Sequence, residues 1–474
     1  MTNYDLDIDK LLVGDIYTSS EVLDNLILLC DEYGSRQGAT PGNLPSVEFM
    51  VKKFRSYGLE VHYESFKIPG WKRGKATLKI IDPIEKEIDC ISLCTNLPGE
   101  VEAKLVDLSS GSVDVYEKMK TEINGNIALV SSKRPADAKH QVHRTEKFMR
   151  SVLAGAKGWV YVNNTPGVGP VSGGVSPLIP AVCIAFEDGE YLSRLINRKG
   201  EVKVQLKTTD KYIDVNSYNV VADLPGVDKD DEYALVGAHY DGHDIAQGAG
   251  DSGSGAVVVM EMARSLSKVR DKLKRRIRFL CFGCEEIGLL GSRAYAKQHI
   301  DELGKCRLML NLDSAGEEER NAIKLNGLPE VEPIVKKWVK EMKNDLPVSQ
   351  TLSAPYSDHW PFFREGVPVS GSGADSPAQP AGPSYAHTRW DTVEKANLNY
   401  LRQAASNYAR FMYRVANADT WPVEHRSKEK IEEYVKTQGW YESVALTDKV
   451  RDHVKGWKQI SPVTRAWLET PDYW

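Results

Sequence analysis

From Val215 onward, three near-continuous apolar runs, YALVGAH (233–239), IRFLCFG (277–283) and RLMLNLD (307–313), alternate with amphipathic helical stretches near 254–268 and after Gly291. A strand that is apolar along its whole length is buried on both faces. This alternation therefore predicts a mixed, mostly parallel sheet flanked by helices on both sides. Each run also stops at a titratable group: His239 followed by Asp241, Glu285 with Glu286, and Asp313. Open α/β sheets bind ligands beyond the carboxyl ends of their strands, so these residues are the first candidates for chemistry.

The rest of the chain is organised around that core. Helical periodicity marks 19–31 and 43–57, with Leu23, Leu26, Ile27 and Cys30 on one face and Val47, Met50, Val51 and Phe54 on another. Strand-like runs follow at 59–66 and 75–81. Between about 95 and 212 the pattern changes to short β-type runs (GNIALVSS, KGWVYVNN, IPAVCIAF) with helices near 144–155 and 187–196, which reads as an inserted β-rich domain. The expected division is 1–94 for the first part of the catalytic domain, 95–212 for the insert, 213–420 for its main part and 421–474 for a helical tail. That tail holds five of the ten tryptophans (421, 440, 457, 467 and 474), a density that suits anchors onto this same chain or onto a second copy.

Composition excludes several classes of partner. Sixty-one basic against 66 acidic residues leave a net charge of −5, with no overall basic excess to favour nucleic acid. No run approaches the length of a membrane span, and the acidic start MTNYDLDIDKLL is unlike a secretory leader, so a cytoplasmic location is expected. The seven cysteines lack framework spacing and fit reduced thiols. Cys281-x-x-Cys284 reads as the end of an apolar strand, because nothing nearby completes a zinc site.

Asp251, in the loop opening the helix near 254, and His387, in YAHTRWDT, bring the candidates to two imidazoles and several carboxylates directed at one sheet edge. Clustered carboxylates repel unless cations lie between them. A mixed oxygen and nitrogen set suits zinc, with manganese or cobalt as substitutes. Two histidines and three carboxylates carry about −3, which two divalent ions and one hydroxide nearly neutralise. A short carboxylate in a tight turn, such as Asp251, is the right size to bridge them.

These segments resemble a known family. HYD (239–241), GAGDSGSG (248–255), EEIGLLGS (285–292), NLD (311–313), SDHWPFFREGVP (357–368) and HTRWDT (387–392) are similar, in this order, to the motifs of the co-catalytic dizinc exopeptidases, a group that includes bacterial leucyl aminopeptidases and plasma glutamate carboxypeptidase. The resemblance implies that Asp251 bridges two zinc ions, that His239 and Asp313 complete one and Glu286 and His387 the other, and that Glu285 is the general base. Asp241 is then expected to accept the second ring N–H of His239 and fix its tautomer. Tyr356, His359 and Tyr385, together with His243, lie in the same loops and are expected to line the substrate pocket. The 95–212 stretch looks like the protease-associated domain that some members carry.

Two competing patterns fail. Gly248 to Gly253 fits GxGxxG, but eight residues separate His239 from Gly248, and Asp251 would oppose a pyrophosphate. The GDSG at 250–253 opens a helix, where the serine-protease turn belongs to an all-β fold. The expected activity is therefore a zinc exopeptidase acting at peptide N-termini. A dipeptidase or carboxypeptidase of the same family is the alternative, and a non-catalytic scaffold a more distant one. Arg36, Arg364 and Arg389 are expected in structural or surface pairing, and the absence of an arginine cluster favours the aminopeptidase reading.

Overall fold

The computed structural model describes residues 3–228, 231–316, 321–351, 354–373 and 384–470. An eight-stranded sheet runs in the order Glu60–Lys72, Lys211–Leu224, Arg276–Phe282, Tyr233–His239, Cys306–Asn311, Val369–Gly371, Ile323–Lys324, Val348–Ser349. Its centre is parallel: Tyr233–His239 lies between Arg276–Phe282 and Cys306–Asn311, with His239 opposite Phe282 and Gly237 opposite Asn311. The three apolar runs are thus neighbours, and their polar ends emerge side by side. Helices Gly255–Leu266 and Leu398–Asn417 are buried nearly throughout and cover one face. The long helix starts at Asn397, whose side chain accepts from the Asn399 and Tyr400 N–H groups.

A second sheet of eight strands follows the order Lys86–Ile88, Ala76–Asp82, Lys203–Thr208, Gly99–Asp107, Ile127–Ser131, Gly158–Val162, Ala181–Ile184, Cys90–Ser92. Three of its strands precede position 95, so its pairing reaches back into chain that the sequence pattern groups with the catalytic part. Ala76–Asp82 pairs with Lys203–Thr208, a contact between distant segments that no local periodicity announces.

The tail forms helices Lys428–Thr437, Tyr441–Lys455 and Pro462–Glu469. Ile431, Val435 and Trp440 pack with Trp360 and Phe363 of the catalytic part. Leu446, Val450, Val454 and Trp467 pack with Phe148, Val152 and Trp159 of the insert. Trp421 donates its indole N–H to the Arg307 carbonyl at 2.8 Å. All four described tail tryptophans thus rest on this same chain, tying the two sheets together; Trp474 lies outside the described residues. No described helix is long and apolar enough to cross a membrane, and all seven cysteines are free thiols.

Candidate metal centre

The strand ends deliver the expected residues to one place. His239 is the last residue of its strand, and Glu285 and Glu286 follow the next strand after a tight turn. Asp313 lies two residues beyond Asn311. Asp251 sits in the irregular turn Ala249–Ser254, where Asp391 accepts from the N–H groups of Gly250 at 2.6 Å and Asp251 at 3.1 Å. His387 has φ +63, in the left-handed region, and is held there from both sides. Ser172 donates its N–H to the His387 carbonyl and accepts from His387 Nδ1 through its own carbonyl.

Asp251 joins the two halves of the cluster. Its Oδ1 lies 3.2 Å from His239 Nε2, and its Oδ2 lies 3.1 Å from His387 Nε2. Asp313 Oδ1 is 3.2 Å from His239 Nε2, and Glu286 Oε2 is 3.5 Å from His387 Nε2. Ligand atoms of His239, Glu285 and Asp313 lie within 4.8 Å of one another, as do those of His243, Glu286 and His387.

The donor chemistry fits divalent cations. His239 directs Nδ1 at the Asp241 carbonyl at 2.9 Å and His387 directs Nδ1 at the Ser172 carbonyl at 3.3 Å. Each carbonyl can only accept, so each neutral ring spends its one N–H there and turns an Nε2 lone pair toward carboxylate oxygens. Lone pairs facing carboxylates repel unless positive charge lies between them. Among the described residues, Glu286 Oε1, Asp241 Oδ2 and both oxygens of Asp358 are buried with no hydrogen-bond partner.

The titration behaviour shows the same demand for positive charge. Burial pushes the Glu286 carboxyl up to about 8, with His387 opposing and Asp251 reinforcing the shift. Burial pushes Glu285 well above the carboxylate range, where Glu286 and Asp313 reinforce it against His239. Asp358 reaches about 7 for the same primary reason. Burial alone would lower His239, but the charges of Glu285 and Asp313 outweigh it and hold the ring well above its usual range. Without cations, protons take up that excess negative charge.

The residues named from sequence divide as follows. His239, Asp251, Glu285, Glu286, Asp313 and His387 come together. Asp241 is adjacent but serves differently from the expectation: its backbone carbonyl, not its carboxylate, takes the His239 ring nitrogen, and Oδ1 stands 3.7 Å away. The short strand-end turn instead aims Oδ1 at the Glu285 backbone N–H, which donates to it at 3.0 Å. Tyr356 lines the cavity of about 470 Å³ over the centre, stacked on His143 at 4.0 Å. His359 and Tyr385 do not line it: His359 is buried at the start of the helix His359–Arg364, and Tyr385 packs under Lys395. Arg36 is fully buried and donates to the carbonyls of Leu29, Gly34, Tyr240, Gln247 and Gly248, so it clamps the loop carrying Asp251.

Sequence reasoning missed Asp391, Asp358 and the contribution of the insert. Asp391 and Asp358 were inside recognised motifs, and only their spacing from His387 and from Tyr356 could have flagged them. The cavity walls contributed by Arg134, Lys139, His140, His143 and Arg144 carry no local signal at all.

A model of peptidase family M28 matches residues 219–412, and one of the PA domain matches residues 101–192. Over residues 219–412 the chain is similar to peptidase family M28. It is 27% identical over 414 residues to carboxypeptidase Q of Mus musculus, covering 84% of this chain and 86% of that one. Among solved structures, an M28 peptidase precursor from Shewanella amazonensis SB2B superposes with a TM-score of 0.78 at 25% identity, over 90% of this chain and 100% of that one. BSAP, a zinc aminopeptidase from Bacillus subtilis, gives 0.67 at 25% identity, over 85% of this chain and 97% of that one. The M28 segment contains every residue of the cluster, and the PA segment contributes Arg134, Lys139, His140, His143 and Arg144 to the cavity wall.

Proposed function

We propose that this protein is a zinc-dependent exopeptidase of the M28 type that removes N-terminal residues from peptides. The placement of Asp251, with one oxygen toward His239 and the other toward His387, carries the reading of a two-ion centre. His239 and Asp313 would hold one ion with Asp251, and Glu286 and His387 the other. When bound, the pair supplies Lewis-acid polarisation of the scissile carbonyl and a water of lowered pKa. Glu285, only 9% exposed, takes the proton of the attacking water on its carboxylate and returns it to the leaving amine. Asp241 holds the Glu285 backbone in place. The insert and Tyr356 wall the cavity and limit what enters. Peptides blocked at either end test the direction of cleavage: release from C-terminally amidated but not N-acetylated substrates, abolished by a chelator and restored by zinc, is the expected result.

One observation favours a second reading, a preference for dipeptides bearing a free carboxylate. Arg144 lines the cavity, is 9% exposed, and donates Nε to the Gly174 carbonyl at 3.2 Å. No carboxylate of the described residues lies within ion-pair distance of it. A guanidinium buried in this way is stabilised by an anion arriving with the substrate. Faster cleavage of free dipeptides than of their amides supports this reading.

A further inference from the structure

We propose that His243 is a fourth protein donor to the ion held by Asp251, Glu286 and His387, so that only the ion at His239 and Asp313 keeps an open coordination position. The proposal rests on the two-ion reading of the centre and goes beyond the five ligands assigned there.

His243 is 2% exposed, four residues beyond His239 in the loop that Arg36 clamps. Its Nδ1 lies 3.9 Å from Cys94 Sγ, a neutral buried thiol that can take the ring N–H. That leaves Nε2 as the lone-pair nitrogen, the arrangement already seen at His239 and His387. Nε2 stands 2.8 Å from Glu286 Oε2, yet it makes no hydrogen bond there and has no hydrogen-bond partner among the described residues. A buried nitrogen lone pair beside a carboxylate oxygen is costly unless a cation sits between them. The His243 and His387 rings meet edge to face, with centroids 4.3 Å apart, so both can present Nε2 to one point.

Ligand atoms of His243, Glu286 and His387 all lie within 4.8 Å of one another, close enough to share an ion, and Asp251 reaches that group through His387. Donors roughly 2.0–2.2 Å from a tetrahedral zinc lie roughly 3.3–3.6 Å from one another. The edges here are 3.1 Å from Asp251 to His387, 3.5 Å from His387 to Glu286 and 2.8 Å from Glu286 to His243. Four protein donors close a zinc site, whereas three leave a position for water or substrate. The other half of the centre offers His239, Asp251 and Asp313, with Glu285 reserved for proton transfer. One ion would then be a tightly held anchor and the other the exchangeable partner of the substrate.

The test is metal binding by the full chain, read independently of turnover. Apoprotein is titrated with zinc against a competing chelator, and the form loaded with one equivalent is examined by X-ray absorption for its count of imidazole ligands. Two imidazoles on the first zinc, and zinc affinities separated by at least about 10-fold, are expected. His243→Ala is expected to weaken the tighter site by more than about 100-fold and to reduce the count to one. His243→Gln, which keeps a hydrogen-bonding side chain of similar reach, is expected to do the same. Wild-type affinity in the glutamine variant, or one imidazole in the wild-type one-zinc form, overturns the proposal by leaving His243 only a positioning contact to Glu286. Wild-type protein that binds no stoichiometric zinc overturns the two-ion reading itself, an outcome distinct from two bound zincs that ignore residue 243.

Discussion

Ser172 and His387 are joined twice: the Ser172 N–H donates to the His387 carbonyl at 2.7 Å, and the Ser172 carbonyl accepts from His387 Nδ1 at 3.3 Å. A loop of the insert therefore sets both the backbone and the ring orientation of His387, a proposed metal ligand. Arg73 extends the tie, donating to Ser172 Oγ at 2.8 Å and bidentately to Asp244 at 2.6 and 2.8 Å. The insert is a structural part of the centre as well as its wall.

Gly173 allows a test of this tie. Its φ is +145, and a Cβ there would stand 1.9 Å from the Arg144 guanidinium carbon. Gly173→Ala must displace Arg144 or the backbone beside Ser172. Loss of an outer-shell partner of a metal-ligating histidine typically costs 10–100-fold in affinity. Zinc retention measured against a chelator is expected to fall by about 10-fold or more. Unchanged retention would mean that the insert merely abuts the centre.

Glu285 and Glu286 are adjacent but should fail in different ways. Glu285→Gln preserves shape and the backbone bond to Asp241 while removing the ability to accept a proton. It is expected to retain metal and lose about 10²–10⁴-fold in kcat. Glu286→Gln removes a charge from the His387 side and is expected to lose metal instead. Metal analysis of both purified variants beside their rates decides it: parallel loss of metal in both would remove the distinction between base and ligand.

The centre was legible because each of its residues sits at the end of an apolar strand or in a turn at the same sheet edge, where sequence position nearly fixes place. His239, Glu286 and Asp313 follow from that rule, and Asp251 and His387 from motif order. Finer chemistry was not legible. Spacing brings Asp241 beside His239, but cannot say whether its carbonyl or its carboxylate meets the ring. Arg144 reaches the cavity, and Ser172 reaches His387, from the insert, through tertiary packing that leaves no local periodicity. Strand Ala76–Asp82 joins that second sheet for the same reason: its partner lies more than a hundred residues away.

Arg144 separates the two substrate readings. A hydrogen bond to a charged group contributes about 1.5–3 kcal/mol, so its loss corresponds to roughly 10–150-fold. Arg144→Gln is expected to raise KM for free dipeptides by about 10-fold or more and to leave C-terminally amidated peptides nearly unaffected. Equal effects on both substrates would show that the guanidinium only supports the Gly174 loop. No preference of the wild-type enzyme for the free carboxylate would return the assignment to general N-terminal cleavage.

Away from the centre, His299 gives the fold a pH dependence whose sign can be worked out. Nε2 lies 2.9 Å from Glu64 Oε1, and Nδ1 meets Glu302, which Arg278 also engages at 3.1 Å. Burial alone would lower His299, but Glu64 and Glu302 outweigh it and raise its pKa above the ordinary value. Burial alone would raise Glu64, but His299 and His62 outweigh it and lower its pKa. The histidine contribution is therefore complete below its unfolded value of about 6.5 and is lost as pH rises through the higher folded value. The Glu64 contribution is complete above about 4.3 and is lost as pH falls through its depressed folded value. Both groups are partly solvated, so the pairing is worth at most about 1 kcal/mol. The melting temperature of His299→Gln should lie furthest below that of wild type between about pH 5 and 6.5, and the gap should close as the solution becomes alkaline. Differential scanning calorimetry of both proteins across this range checks it. A gap that widens with pH would show that the stabilising form of His299 is the neutral ring.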